Sequence, residues 1–304
     1  MDHPPTAQEV RQMNLEDKGF PLRVICRVMG ISRASYYRAD REKEASGEPS
    51  HGMVAEDEAL VEIIRDIQSE WPCYGVRRVW AVLRFDRGLV VNIKKVRRVM
   101  RLYGLLQKPV SHGVPRRKHT GKVAVEEPDR LWGTDLTKTW TEVDGWVGIV
   151  PILDYGARDC LAWRVSKVTT AAVVNDVIDE AIISRFGTPQ GVPEALVVRS
   201  DNGPQFTAHA VQDNLRRWGV HHQKTPFHCP EGNSVVERFM RTLKEECLWQ
   251  HHLNTLEDVE IVLSWWIPRY NTMRRHQSLG YLTPKEYRHK FTQHQPKVLR
   301  SQAA

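Results

Sequence analysis

The sequence predicts an α/β fold, namely a mixed five-stranded sheet with flanking helices, preceded by an all-α region. Up to about residue 122, apolar residues recur three or four positions apart, which is the spacing of a buried helix face. From about residue 131, short strand-like runs alternate with segments of helical spacing. The resulting order, βββαβαβα, favours a sheet with helices packed on its faces.

The first predicted element is a helix-turn-helix in residues 19–38. Apolar residues between Leu22 and Met29 form one stripe, Gly30 can turn, and Ser32 can cap a second helix. Any small helical hairpin has this outline, so contact with DNA and simple packing both stay open. We assign residues 1–50 as a helix-turn-helix-like segment.

The next segment, residues 51–122, is strongly basic. Residues 71–122 hold fourteen basic side chains and one acid, Asp86. A charge run is usually a solvated face of mixed sign, but here no acid occurs from residue 87 to 122. We therefore predict a DNA-binding helical domain and linker that contact phosphates. The basic residues assigned to this surface are Lys94, Lys95, Arg97, Arg98, Arg101, Arg116, Arg117 and Lys118.

The charge of the whole chain, +7, hides a marked segregation. Residues 123–266 carry 13 basic and 21 acidic groups, whereas residues 267–304 carry eight basic groups and one acid. Basic segments that flank an acidic one are expected where polyanion-binding parts surround a site rich in carboxylates.

Several other protein classes are disfavoured by the sequence. No apolar run approaches the ~18 residues that span a bilayer, and the first ten residues are polar. Five widely spread cysteines without a C-x-x-C pair indicate neither a disulfide framework nor a zinc ribbon. We expect a soluble, cytoplasmic protein with no membrane partner.

Residues 123–250 hold the predicted sheet. Strands are expected at 132–140, 146–155, 160–166, 195–198 and 220–225, and helices at 171–186, at 207–218 and from about 233. Residues 251–304 are assigned as a C-terminal helix and basic tail, which we expect to dock on DNA or on a neighbouring subunit.

Three acids lie where this order of elements can bring them together. Asp135 interrupts the first strand, Asp201 directly follows the fourth, and Glu237 lies on the last helix of the core. All three are predicted at one edge of the sheet. A fourth acid, Asp154, ends the second strand and is interpreted as a turn residue.

The spacing of these three acids resembles the pattern of a known protein family. The D, D and 35-residue-spaced E pattern, with Asn202-Gly203 after the second acid and Lys244 seven residues after the third, resembles the catalytic core of the retroviral-integrase superfamily. The sequence is most similar to the second-frame (OrfB) transposases of bacterial insertion sequences of family three. Further residues that match this family are Tyr74 to Arg78, Val91-Asn92, Tyr270-Asn271, Arg275, His276, Leu279 to Tyr281 and Thr283-Pro284.

The resemblance implies an RNase-H-like core and a DNA transposase that cleaves element ends and transfers the strand by 3′-OH attack on a phosphodiester. It implies that Asp135, Asp201 and Glu237 are the catalytic residues and the metal ligands. Hard cations such as Mg²⁺ take oxygen ligands, so three carboxylates on an open edge can hold two ions. We expect Mg²⁺, with Mn²⁺ able to substitute.

DNA contacts are also expected near these acids. Arg241 and Lys244 follow Glu237 by four and seven residues and share its helix face. The alternative for that face is a simple surface Glu-Arg pair. Arg275 and His276, from the C-terminal signature, are assigned as further DNA contacts by the resemblance.

The partners implied by the resemblance are double-stranded DNA, both terminal inverted repeats and target, and further copies of the chain in a homo-oligomeric synaptic complex. An upstream-frame protein, or a fusion with it, is a further partner. Two other functions stay open: a helix-turn-helix regulator with a non-catalytic integrase-like domain, and an RNase-H-type nuclease.

Overall fold

The structure is a computed structural model that describes residues 21–36, 51–107, 125–225 and 233–294. Two units divide the chain, residues 1–63 and residues 64–304. Among the described residues, no helix is long and apolar enough to cross a membrane.

The first unit contains the predicted helix-turn-helix outline. Helix α1 (Leu22–Val28) is followed by Gly30, whose φ of +68° suits the turn that reverses the chain. The Ser32 hydroxyl then accepts a hydrogen bond, 2.9 Å long, from the backbone N–H of Ser35, so it caps the next helix as predicted. A small buried cluster joins the two helices through Ile25, Cys26 and Tyr36.

Helix α2 (His51–Glu70) runs across the division between the units, and α3 (Val76–Phe85) and α4 (Ile93–Leu102) follow it. Asn92 caps α4 by accepting a hydrogen bond, 2.8 Å long, from the N–H of Lys94. The apolar stripe of α4 is fully buried through Val96, Val99 and Met100. Its basic residues therefore lie on the opposite, solvent-facing side.

The sheet is mixed and has six strands: β1 (Leu131–Thr134), β2 (Thr137–Thr141), β3 (Gly145–Asp154), β4 (Cys160–Ser166), β5 (Val197–Ser200) and β6 (His221–Lys224). Strands β1, β2 and β4 pair with β3 antiparallel. Strand β1 pairs with β5 parallel, and β5 pairs with β6 parallel. The predicted mixed α/β architecture is confirmed.

The predicted count of five strands differs from the observed six because the first predicted strand is interrupted. Strands β1 and β2 share one register against β3, with Trp132 opposite Asp154 and Thr137 opposite Ile149. The same register puts Asp135 opposite Pro151, which has no N–H and removes a donor from β3 at this level. Asp135 and Leu136 lie outside the ladder, so one strand becomes two.

Helices cover both faces of the sheet. Helix α5 (Ala171–Phe186), α6 (Pro204–Thr207) and α7 (His209–Arg217) contribute to one apolar core, which contains Trp132 of β1. Helix α8 (Ser234–Glu246) and α9 (Leu256–Thr272) contribute to the other, which contains Leu131. Neighbouring residues of β1 thus point to opposite faces, as the period of a strand requires.

The last described helix, α10 (Pro284–His294), is tied to the sheet by one buried arginine. Arg288 reaches three acids: Asp129 at 2.8 Å, Asp154 at 3.1 Å and Asp159 at 2.7 Å. The Arg288 side chain is 13% exposed, so these ion pairs are largely shielded from water. Residues 251–294 are therefore built into the fold, while the remainder of the predicted tail lies outside the described residues.

The basic helical segment is joined to the same body through a second buried charge group. Glu246, at the end of α8, pairs with Arg78 of α3 at 2.6 Å and with Arg274 at 2.8 Å. Its side chain is 3% exposed. Nearby, Arg275 binds Asp86 at 2.9 Å. These pairs fix α3 against the end of α8.

The Arg288 group gives a stability prediction. Arg288→Gln should lower the free energy of unfolding by about 3 kcal/mol, because it leaves three acids without their shared cation in a shielded place. Urea denaturation followed by circular dichroism measures this. Lys285→Gln, on the exposed side of the same helix, is the control and should change little. Equal effects of the two substitutions would contradict the role given to Arg288.

Candidate active site

Asp135 and Asp201 lie side by side at the ends of two parallel strands. Strands β1 and β5 pair with Leu131 opposite Val197 and Gly133 opposite Arg199. The same register, carried two residues further, puts Asp135 level with Asp201. Because side chains alternate along a strand, both acids face the side of the sheet that α8 covers.

Glu237 is brought to the same place by a close contact between α8 and β1. A Cβ atom on Gly133 would lie 2.7 Å from Val236 Cγ2 and 2.4 Å from Tyr155 Cε2. Only a glycine therefore leaves room for Val236, which is fully buried. Glu237 is the next residue and is exposed.

The Asp201 side chain is oriented by the turn that follows β5. Its Oδ1 accepts a hydrogen bond, 2.9 Å long, from the backbone N–H of Gly203. The Asn202 side-chain amide donates to the backbone oxygen of Thr225, at 2.9 Å, and so holds the turn against the end of β6. Asn202 and Gly203 thus shape the turn that presents Asp201.

The surroundings of Asp135 raise the pKa of its carboxyl group. Burial raises its pKa to about 6; a hydrogen bond from the Leu136 N–H opposes this shift, and the negative charges of Asp201 and Glu237 add to it. The bond from Leu136 to Asp135 Oδ1 is 2.7 Å long. The three carboxyls are thus close enough to repel one another.

This donor set fits a hard divalent cation. Carboxylate oxygens are the ligands that Mg²⁺ prefers, and a bound cation offsets the mutual repulsion of the three acids. Within the described ranges, no three His, Cys, Asp or Glu side chains stand close enough to form a ready-made metal cluster. The three carboxylates are suitable ligands for such a cation, and their side chains have to move closer together to bind it.

Comparisons with known proteins agree with this geometry. The family description "Integrase core domain" matches residues 125–230, and a second description with the same wording matches residues 202–284. Residues 125–284 are therefore similar to integrase core domains. An "HTH-like domain" matches residues 55–112, which is the basic helical segment and not the earlier helix-turn-helix in residues 19–38.

A curated relative covers most of the chain. Transposase InsD for insertion element IS2A/D/F/H/I/K, from Escherichia coli, is 29% identical over 281 residues, which are 89% of this chain and 91% of the relative. Over this length the chain is similar to an insertion-element transposase.

Solved integrases also resemble the chain. The catalytic core domain of BIV integrase is 25% identical, with a TM-score of 0.42, and the match covers 54% of this chain and 97% of that one. A simian T-cell lymphotropic virus intasome chain, in complex with PP2A regulatory subunit B56 gamma, is 14% identical with a TM-score of 0.47 and covers 79% and 78% of the two chains.

Asp154 has a structural role near Asp135 and the other two acids. Its Oδ1 accepts hydrogen bonds from the N–H groups of Gly156 and Ala157, at 2.7 and 2.9 Å. It is fully buried and also binds Arg288. The interpretation of Asp154 as a turn residue is confirmed.

The basic side chains predicted to contact DNA have different surroundings. On α4, Lys94, Arg97, Arg98 and Arg101 are exposed and Lys95 is half-buried. On α8, Arg241 is exposed and Lys244 half-buried. The linker residues Arg116, Arg117 and Lys118 lie outside the described residues. For all of these, contact with DNA stays a prediction.

Arg275 and His276 have protein partners that were not expected. Arg275 is 10% exposed and pairs with Asp86 and Glu286. Burial, followed by the positive charges of three arginines, holds the pKa of His276 well below its usual range. His276 is therefore uncharged at neutral pH, and Arg275 is committed to two acids. Their DNA contact is an untested prediction that these surroundings disfavour.

Two residues beside the acids were not predicted from the sequence. The Asn233 side-chain amide donates to Asp135 Oδ2 at 3.3 Å, and the Tyr155 hydroxyl donates to Asn233 Oδ1 at 3.1 Å. Asn233 directly precedes α8 and lies four residues before Glu237. This spacing could have indicated that Asn233 lies near the site. Nothing in the sequence indicates the direction of Tyr155.

The close contact at Gly133 can be tested through stability. Gly133→Ala should lower the free energy of unfolding by about 2 kcal/mol, because the added methyl overlaps Tyr155 and Val236. Gly75→Ala is the control, since no atom lies within 4 Å of a Cβ there and its φ is −86°. Urea denaturation of both variants checks this, and an unchanged stability for Gly133→Ala would refute the packing argument.

Proposed function

We propose that the protein is a DNA transposase, a metal-dependent polynucleotidyl transferase that cleaves DNA at the ends of an insertion element and joins those ends to target DNA. The observation that carries this proposal is the placement of Asp135 and Asp201 at one level of two parallel strands, with Glu237 alongside, inside an integrase core. The homology to insertion-element transposases supports the same substrate.

The three acids are assigned as the ligands of two Mg²⁺ ions, which Mn²⁺ can replace. Following the family resemblance, Asp135, Asp201 and Glu237 would together hold these ions through their carboxylate oxygens. When bound, the ions activate the attacking oxygen and stabilise the leaving oxygen of a phosphoryl transfer. The negative charges of Asp201 and Glu237 lie close enough to act on Asp135, which supports this assignment.

Two displacements at phosphorus make up the reaction. In the first, water attacks a phosphodiester at the element end, the P–O bond to the 3′-oxygen breaks, and a free 3′-OH is released. In the second, that hydroxyl attacks a phosphodiester of the target, a new P–O bond forms and a target 3′-OH leaves. No side chain of the protein is bonded covalently to DNA in either step.

The protein must also hold DNA beside an acidic core. Helix α4 presents Arg97 and Arg101 one turn apart on an exposed face, and neither pairs with an acid of the described residues. On α8, Arg241 lies one turn beyond Glu237. We assign α4 as the main contact with phosphates and Arg241 and Lys244 as contacts near the cleaved bond.

The assembly is proposed to contain at least two copies of the chain, because joining both ends of an element in one complex requires two sites. The DNA partners are the terminal inverted repeats and the target. An upstream-frame protein is a further proposed partner.

The acids give the first functional prediction. Asp135→Asn, Asp201→Asn and Glu237→Gln should each lower strand cleavage in Mg²⁺ by about 10³-fold or more, since losing a metal ligand removes several kcal/mol of transition-state stabilisation. DNA binding should stay close to wild type. A nicking assay on a labelled element end, with a gel-shift assay beside it, measures both.

Asp176→Asn, at an exposed acid of α5, is the matched control and should cleave normally. Cleavage at the wild-type rate by any of the three site variants would overturn the assignment. Incubation with an element end and a plasmid separates the other functions: an RNase-H-type nuclease would not join the 3′-end to the plasmid, and a regulator would bind DNA without cutting it.

The α4 surface gives the second functional prediction. The double substitution Arg97→Gln/Arg101→Gln should weaken binding to any DNA sequence and should reduce the slope of log K against log salt by about 2, because two phosphate contacts are lost. Fluorescence anisotropy at several salt concentrations measures this slope.

Arg216→Gln/Arg217→Gln is the matched control, since it removes the same charge from exposed arginines of α7. If both doubles change the slope equally, the effect belongs to net charge and α4 is not the phosphate-binding helix.

A further inference from the structure

A short hydrogen-bond relay ends on the Asp135 carboxylate. The Tyr155 hydroxyl donates to Asn233 Oδ1 at 3.1 Å, and Asn233 Nδ2 donates to Asp135 Oδ2 at 3.3 Å. Tyr155 is fully buried and Asn233 is 5% exposed. Water has little access to these groups, so each depends on its protein partner.

We propose that Tyr155 is a positioning residue for Asp135 and acts through Asn233, setting the geometry in which the carboxylate receives a divalent cation. This inference rests on the metal-dependent function proposed above. Tyr155 itself touches neither Asp135 nor the reacting atoms.

The relay has one consistent direction of donation. An ionised carboxylate only accepts hydrogen bonds, so the Asn233 amide must turn its NH₂ group towards Asp135. Its oxygen then faces Tyr155 and needs a donor. Arg199 hydrogen-bonds to the Tyr155 side chain as well, and because a guanidinium cannot accept, the tyrosine proton is left for Asn233.

The orientation of Asp135 needs such support. Asp201 and Glu237 repel its charge, and burial disfavours that charge further. Its Oδ1 is held by the N–H of Leu136, and Asn233 holds Oδ2, so the two bonds together fix the rotation of the carboxyl group. Partners of metal ligands commonly change metal affinity by 10- to 100-fold when they are removed.

The position of the Tyr155 ring explains how the relay reaches the site. The ring occupies the space beside Gly133 that a side chain there would fill, under the start of α8. Arg199 lies 5.8 Å from the ring centre and also binds Gln223 of β6 at 2.7 Å. The relay therefore connects β3, β5 and α8 to the acid of β1.

The test compares two tyrosine hydroxyls. Tyr155→Phe removes only the first donor of the relay and keeps the ring. Tyr270→Phe is the matched control, because Tyr270 is also a buried tyrosine and its hydroxyl donates to the Arg158 oxygen over the same distance, 3.1 Å. Mn²⁺ binding to the full chain is measured by calorimetry, with Asp135→Asn to identify the site, and thermal unfolding is followed for each variant.

We expect Tyr155→Phe to raise the Kd for Mn²⁺ about tenfold and Tyr270→Phe to leave it within about twofold, although both lose one hydrogen bond. In cleavage assays, the Mn²⁺ concentration for half-maximal rate should rise with little loss at saturation. Asn233→Ala removes the middle residue of the relay and should weaken Mn²⁺ binding at least as much. This variant replaces Tyr155→Phe in the test if Tyr155→Phe does not fold.

Equal Mn²⁺ affinities for Tyr155→Phe, Asn233→Ala and wild type would overturn the positioning role and leave the proposed function intact. Equal losses in Tyr155→Phe and Tyr270→Phe would also overturn it, because the effect would then be general loosening. Absence of Mn²⁺ binding that depends on Asp135 in the wild type would overturn the proposed function together with this inference.

Discussion

The close approach of α8 to β1 at Gly133 is the contact on which the whole site depends. Because residue 133 has no side chain, Val236 and the Tyr155 ring lie directly against the strand that ends in Asp135. Glu237 is the next residue after Val236, so the packing of Val236 also determines where Glu237 lies. A side chain at 133 would move the helix outward, and the three acids would no longer share one edge of the sheet. The chemistry is thus built on a packing constraint rather than on attraction, since the acids themselves repel.

Charge is divided among the elements according to their task. The sheet edge holds carboxylates, and all the charged residues of α4 are cations. Inside the fold, however, charges occur in groups of opposite sign, with Glu246 between two arginines and Arg288 among three acids.

Much of the site could be predicted from the sequence because strand alternation and motif spacing are local properties. The placement of Asp135 and Asp201 follows from two short parallel strands, and the turn at Asn202 follows from its residue type. The break in the first strand could not be foreseen, since it depends on Pro151 being opposite Asp135 in the folded sheet. The position of Tyr155 beside the site could not be predicted either, because its neighbours in the folded protein come from distant parts of the chain. The pairing of Arg275 with Asp86 and Glu286 could not be predicted either, because the three residues come together only in the folded chain.

The buried group formed by Arg78, Glu246 and Arg274 has a consequence for how the chain can be divided. Glu246 belongs to the helix of the third acid, but its two arginines come from segments before and after the sheet. A fragment limited to residues 123–250 would keep the carboxylate and lose both cations, leaving an uncompensated charge at the end of that helix. Glu246 therefore ties the third helix and the loop after α9 to the end of α8, and a division at residue 250 would separate this group.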